Sequence, residues 1–563
     1  MRNLSGCKIC LAVVKWSLKW GKMSAFFKKY QFWFKCWGVV WGILAIVFSF
    51  YMVTFFLGNH DWQFIRYDMP LGSGIWEARI TQFLPPRLFS LGRLLPIWNA
   101  LLGFGFLSAA AVLLAWWYGL KPKAPQVILF SLLIGLHPYV CASLYYAYLF
   151  LSFGCWHFLS VLGIVLAWQF ANNHKFYYFI GAMVCLWCAL SGYSACIELI
   201  GVLVLGKFML ECSVPLQKGF IKRWGIFFLV LFVALTVYVL SLRFLQHMEI
   251  LDSWMYNTQA LPFSKMILRF INKWQMPFVV LNTDFPYVGK GLLWCFWGGV
   301  LVFNVVLWRA FEFKKYVIAL LLEIGVFYAA FVAAYISPSD IFYMYRVHVF
   351  SVPYLVAVML AFILIKGSNF YKNAAYILSI YIVFVFGLCD VNVQKVWYLG
   401  NRQDDKIIER IKGDLLSQMK ENQHYRLSTL GNLYGQRKFA NKKYISGSPC
   451  GEYYGMPYIL DIFFSNGFFA YEPYNPIWGD TQYMPSWVIF YGTSNENIAS
   501  DERNEAAEFS KYSGHDKDNL IKAVRRLRPF PREPYMAVGD KDIILMLGNT
   551  QYEDLLVKTI QED

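Results

Sequence analysis

The feature that most constrains this chain is a series of apolar runs of about 16 to 24 residues, recurring from residue 34 to residue 390. As a helix, a run of that length crosses a ~30 Å hydrocarbon core. Inside lipid every backbone polar group must be satisfied within the protein, so such runs read as spanning helices. Spans are expected near 34–57, 95–118, 125–141, 149–171, 176–191, 194–211, 224–242, 289–308, 316–336, 347–366 and 373–390, about eleven in all. Only 15% of residues are charged, where a soluble domain carries about a quarter. The fold expected is mainly α, a polytopic membrane protein of about eleven transmembrane helices with a soluble appendage.

The net charge of +16 could suggest nucleic acid, but its distribution excludes that partner. Arg2, Lys8, Lys15, Lys19, Lys22, Lys28, Lys29 and Lys35 fall in a stretch with no acid. Basic residues gather on the cytoplasmic side of membrane proteins, so residues 1–33 read as a basic cytoplasmic arm. The run from Phe34 to Leu57 is too long for a signal-peptide core and lacks a small-residue cleavage site, so it reads as a retained span. Lys121 and Lys123, His174 and Lys175, Lys218 to Arg223, Arg309 to Lys315, and Lys366 to Lys372 fall in the turns this orientation places inside. An odd span count puts the C-terminal part outside.

The membrane domain is expected over 34–390. After Asp390 the composition changes. Ile407, Ile408, Ile411, Leu415 and Met419 recur at helical spacing. Short β-type runs follow at Tyr458–Phe464, Trp487–Tyr491 and Ile543–Leu547, with a hairpin turn at Asp540-Lys541-Asp542. An α/β domain is expected over 391–563, outside the membrane. Its lone Cys450 allows no internal disulfide. Cys7 and Cys10 form a C-x-x-C with no second pair, and the histidines never cluster, so neither a metal site nor a cofactor is expected. Arg243 to Gly291, with Trp254, Lys265, Arg269, Lys273 and Trp274, reads as an interfacial amphipathic stretch.

The polar loop after the first span, residues 58–94, stands apart. Its first part, GNHDWQFIRYDMPLGSGIWEAR, holds the carboxylates Asp61, Asp68 and Glu77 and the guanidinium groups of Arg66 and Arg79. Arg87 and Arg93 follow. An outer loop usually carries charges only for solvation. Asp61 lies a few residues beyond the span, however, and the loop's positive charge suits an anionic ligand. A second outer turn, SPSDIFYMYRVH, carries Asp340, Arg346 and His348. Glu198 lies inside an apparent span, where a carboxylate marks a functional site or a hydrogen-bonded packing site. Glu323, His137-Pro138 and Trp156-His157 read as structural. The aromatic run YEPYNPIW, Tyr471 to Trp478, could stack on sugars or pack locally.

These features together resemble the GT-C class of lipid-linked sugar transferases. Within it the chain is most similar to bacterial Gtr-type, serotype-converting O-antigen glucosyltransferases. The echoes are His60-Asp61, Trp76-Glu77-Ala78-Arg79 and the polar break LSGYSACIEL at Leu190 to Leu199. His60 stands where that family tends to carry a second acid, and Ala78 where it tends to carry Gly. The resemblance implies a bacterial inner-membrane enzyme that moves a sugar, glucose by analogy, from a polyprenyl phosphate donor to a cell-surface glycan. It implies an inverting displacement with Asp61 as general base, Asp68 and Glu77 behind it. The donor phosphate would meet Arg79 and Arg346, then Arg66 and His348. Two other readings share the scaffold: a flippase for lipid-linked saccharide, and a glycan polymerase or ligase.

Overall fold

The computed structural model describes residues 28–54, 69, 74–75, 78–212, 219–250, 262–283, 290–310, 313–336 and 345–418, with short segments between 426 and 546. In chain order the helices are α1 (Lys28–Val47), α2 (Ser49–Thr54), α3 (Leu84–Ser90), α4 (Pro96–Tyr118), α5 (Ala124–Gly135), α6 (Pro138–Ser143), α7 (Ala147–Asn173), α8 (Phe176–Gly192) and α9 (Cys196–Cys212). They continue as α10 (Phe220–His247), α11 (Phe263–Asn272), α12 (Met276–Thr283), α13 (Lys290–Ala310), α14 (Phe313–Ala329), α15 (Val332–Ile336), α16 (Tyr345–His348), α17 (Val352–Lys366) and α18 (Asn369–Gln418). The described chain is therefore mainly helical.

Five of these helices are long and apolar enough to cross a membrane: α1, α4, α7, α10 and the segment Asn369–Lys395 of α18. Shorter apolar helices lie among them. Length alone thus does not reach the expected count of eleven, and the sequence explains part of the shortfall. Pro138 cannot continue α5, because proline lacks the N–H a helix interior needs. The chain breaks there and restarts as α6, with the His137 side chain accepting from Tyr139 N–H at 3.2 Å. That is the helix-end role the dipeptide suggests. A second break, at Ala330 and Phe331, divides α14 from α15.

The spans differ in what surrounds them. The apolar windows of α4 and α7 are 61% and 78% buried, so these helices form the centre. Those of α1, α10 and α18 are 17%, 22% and 28% buried, so they lie at the rim. Helix α10 turns Ile221, Phe228, Leu229, Phe232, Leu240 and Phe244 outward. Six such side chains left in water would forfeit on the order of 10 kcal/mol, comparable to the whole stability of a typical domain. In hydrocarbon that cost vanishes, and the exposed apolar rim is how a membrane protein meets its lipid.

Small residues let the central helices close in. A methyl group on Gly154 would stand 2.1 Å from the Gly103 carbonyl oxygen, so α4 and α7 cross with their backbones nearly touching. Helix α1 docks on α4 through two indoles: Trp37 Nε1 donates to Gly105 O at 2.9 Å and Trp41 Nε1 to Leu101 O at 2.8 Å. The break between α1 and α2 at Phe48 has an identifiable cause. Gln394 of α18 accepts from Tyr51 N–H at 3.0 Å and donates to Val47 O at 3.1 Å, taking the place of the helix bond those groups would share.

The sequence suggests a boundary at 390/391, yet α18 runs unbroken through it for 50 residues, about 75 Å at 1.5 Å per residue. It contains no proline. The change of composition at Asp390 marks where the helix turns polar, and the backbone does not stop there. At its far end Ile411 and Leu415 are buried. The Tyr535 hydroxyl donates to Asp414, and Gln418 Nε2 reaches Met536 Sδ at 3.3 Å. Beyond it lies a four-stranded sheet in the order β4 (Ile489–Phe490), β1 (Arg426–Leu430), β6 (Asp542–Met546), β5 (Met536–Val538). A two-stranded ribbon pairs β2 (Tyr471–Glu472) with β3 (Met484–Pro485). Strands β1 and β6 are parallel, while β5 and β6 pair antiparallel with Val538 opposite Ile543, flanking the hairpin turn expected at Asp540. The expected run Tyr458–Phe464 lies outside the described residues.

Candidate functional site

The last part of the loop after the first span is fastened to the core. Thr81 N–H donates to Ser191 O at 3.2 Å and its hydroxyl to Cys188 O at 2.6 Å. Ser152 Oγ donates to Gln82 O at 2.7 Å. The partners are carbonyls in the last turns of α8, and that of Ser191 has no N–H further along the helix to accept from. The loop's exit thus satisfies the polar break that follows α8.

This fastening fixes Arg79. Its N–H donates to Gly74 O at 2.7 Å, and Gly74 has no room for a side chain, since a methyl group there would stand 2.5 Å from Arg79 O. Ala78 sits at φ 60°, the left-handed region that suits glycine. A residue with a Cβ meets that conformation here at some strain. The Arg79 guanidinium carbon lies 5.4 Å from the centroid of Tyr193. Tyr193 is stacked in turn on Trp156, 5.8 Å away and 7° from parallel. Trp156 fits there because residue 192 is glycine: a methyl group would lie 2.0 Å from its Nε1. Phe153 and Phe350 close the aromatic wall, each within 6 Å of Tyr193.

The segment that carries His348 and Ser351 reaches the same place. His348 in α16 and Ser351 before α17 both meet Glu198 in the first turn of α9. The carboxylate accepts from Ser351 Oγ at 2.9 Å and from Ala333 N–H at 3.1 Å, and it is hydrogen-bonded to His348 Nδ1 at 3.2 Å. All three side chains are fully buried. Ser351 also donates to Ala330 O at 2.7 Å, at the break between α14 and α15. One carboxylate therefore ties together a helix start, a helix break and the turn bearing His348. Next to it His157 stacks on Phe350 at 4.4 Å and hydrogen-bonds the Tyr354 hydroxyl at 2.9 Å.

Of the residues singled out in the sequence, the structure brings Arg79 and His348 to this one region, with Glu198 and Tyr193 of the polar break between them. Arg346 lies on the same short helix as His348, two residues before it. Asp61, Arg66, Asp68 and Glu77 lie outside the described residues, as does Asp340. Glu323 accepts from Asn304 Nδ2 at 2.9 Å. The participation of Ser351, Phe350 and Tyr354 was not foreseen. The only signal for it is a hydroxyl directly before the Pro-bearing start of an apolar helix. Trp156 and His157 pack, as expected, but they pack as a wall of this region. Among the described residues no three His, Cys, Asp or Glu side chains gather as a metal ion would require.

Chemically, the region offers a guanidinium cation held over an aromatic ring. Such a group suits a phosphate or carboxylate. No protein-family model, curated protein or solved structure matches the chain.

Proposed function

We propose that the chain is a membrane glycosyltransferase of the GT-C type, moving a sugar from a polyprenyl phosphate donor to a cell-surface glycan such as O-antigen. The sugar is glucose by analogy with the Gtr-type enzymes. In this reading about eleven helices span a bacterial inner membrane, the N-terminus is cytoplasmic, and the α/β part over 391–563 lies outside. Asp61 takes the proton of the acceptor hydroxyl from within ~3 Å. That oxygen attacks the anomeric carbon from the face opposite the phosphate, the configuration inverts, and the polyprenyl phosphate departs with the bonding electrons. Asp68 and Glu77 are the next candidates for the base. Arg79 and Arg346, with Arg66 and His348, oppose the charge that grows on the leaving phosphate. Glu198 and Ser351 hold the second turn in position. No cofactor is needed, because a phosphate leaves without further activation.

The observation that supports this reading is the meeting of two distant segments. The exit of the first polar loop, at Arg79, lies against Tyr193, and the turn bearing His348 is tied to Glu198 five residues further along. A transferase needs base and phosphate-binding groups from different loops around one sugar. The test is to incubate purified protein with short-chain polyprenyl phosphate glucose and O-antigen oligosaccharide, and to follow the labelled sugar. Transfer from the monophosphate donor supports the reading, and its absence with every monophosphate sugar tried would sink it.

The interrupted helices α5/α6 and α14/α15 favour one alternative, a flippase of lipid-linked saccharide, because transporters bind at such breaks. Proteoliposomes distinguish the two: a flippase moves the lipid-linked sugar across the bilayer with no acceptor present.

A further inference from the structure

A cavity of about 380 Å³ opens between α13, α14 and α17, apart from the region just described. Phe331 separates the two, its ring centroid 5.8 Å from Phe327 on the cavity wall and 4.9 Å from His348. The size is that of a site for a small ligand. Its lining is nearly all apolar or aromatic, with Phe278, Phe303, Phe327 and Val358 among the walls, and carries one amide and one carboxyl side chain, Asn304 and Glu323.

Those two groups define what the cavity lacks. Asn304 Nδ2 donates both to Val300 O at 3.0 Å and to Glu323 Oε1 at 2.9 Å. Glu323 Oε2 is buried and accepts no hydrogen bond. An oxygen in that state costs free energy unless a donor reaches it. A purely hydrocarbon occupant would leave the cost in place, whereas a chain ending in a donor would remove it. A solvated ion does not suit walls of this kind.

We propose that this cavity binds a membrane amphiphile of the long-chain alcohol class. The aliphatic chain fills the space among Phe303, Phe327 and Val358, and the hydroxyl donates to Glu323 Oε2. The site is independent of the transferase reading and stands or falls on binding alone.

The experiment uses purified full-length protein in nanodiscs and two photoreactive probes. One is a long-chain primary alcohol with a mid-chain diazirine, and the other is its methyl ether, which cannot donate. In the wild type the alcohol should label peptides containing Phe303 or Phe327 about fivefold more than the ether, the worth of one hydrogen bond. Glu323→Leu should bring the two probes to equal labelling. Val300→Trp, which fills the cavity, should abolish labelling by both. Equal labelling of the wild type by alcohol and ether overturns the proposal, and so does alcohol labelling that survives Val300→Trp. If either variant fails to fold, the wild type alone decides. Unlabelled alcohol must displace the alcohol probe at about one-fifth of the concentration that the unlabelled ether needs, and equal displacement by the two overturns the proposal.

Discussion

Removing the Glu198 carboxylate should loosen the region where three helices and a turn converge. Glu198→Ala deprives Ala333 N–H, His348 Nδ1 and Ser351 Oγ of an acceptor. Ser351 loses little, since its hydroxyl already reaches Ala330 O at 2.7 Å. Ala333 is in the first turn of α15, where an N–H has no partner within the helix. Two donors therefore lose their acceptor in a fully buried setting, at about 1–3 kcal/mol each. Hydrogen bonds between helices in membranes are often worth less, on average about 0.6 kcal/mol, so the expected loss is about 2–4 kcal/mol. Glu198→Gln keeps the shape and an acceptor oxygen, and should cost about 1 kcal/mol. Reversible unfolding in mixed micelles, followed by circular dichroism, gives both values. If Glu198→Ala proves as stable as Glu198→Gln, the carboxylate is not the tie described above.

Other consequences can be checked separately. Ala78→Gly should raise stability by about 1 kcal/mol by relieving the left-handed backbone at that position, as read in the same unfolding assay; a loss would contradict the strain. Phe232→Lys, on the exposed face of α10, should cost about 2.5–3.5 kcal/mol if that face meets lipid, and a change near zero would mean it meets water. Burial, then the hydrogen bond to Asp414, pushes the Tyr535 hydroxyl above its ordinary range. A group whose folded pKa is raised stabilises fully below its unfolded pKa and loses that contribution as pH rises. The wild type should therefore exceed Tyr535→Phe in stability at neutral pH, and the gap should close above pH ~10. A gap that widens with rising pH would contradict the sign.

The sequence made the helices legible because hydrocarbon allows little else: a long apolar run has one stable backbone form. Breaks were legible only where a residue forces them, as at Pro138. The break at Phe48 comes from Gln394, 346 residues away in the chain, and no local pattern announces it. The expected boundary at Asp390 rested on composition, which reports the surroundings of a helix and not its end. The site was legible in parts. Arg79 drew notice as a cation of a charged loop, His348 as part of a charged turn, and Glu198 as a carboxylate inside an apolar run. That they gather in one region depends on how α7, α8, α9 and α17 pack, and on glycines such as Gly192 that permit close approach. Ser351 and Phe350 are ordinary residues in sequence, and only the fold gives them a role.

The most direct test of the account is the transfer rate of Asp61→Asn against the wild type, measured with saturating polyprenyl phosphate glucose and oligosaccharide acceptor. Asparagine keeps the size of the side chain but cannot take up the acceptor proton. The account predicts a rate lowered by about 10²–10⁴-fold, with donor binding unchanged. Transfer at the wild-type rate by Asp61→Asn would contradict it.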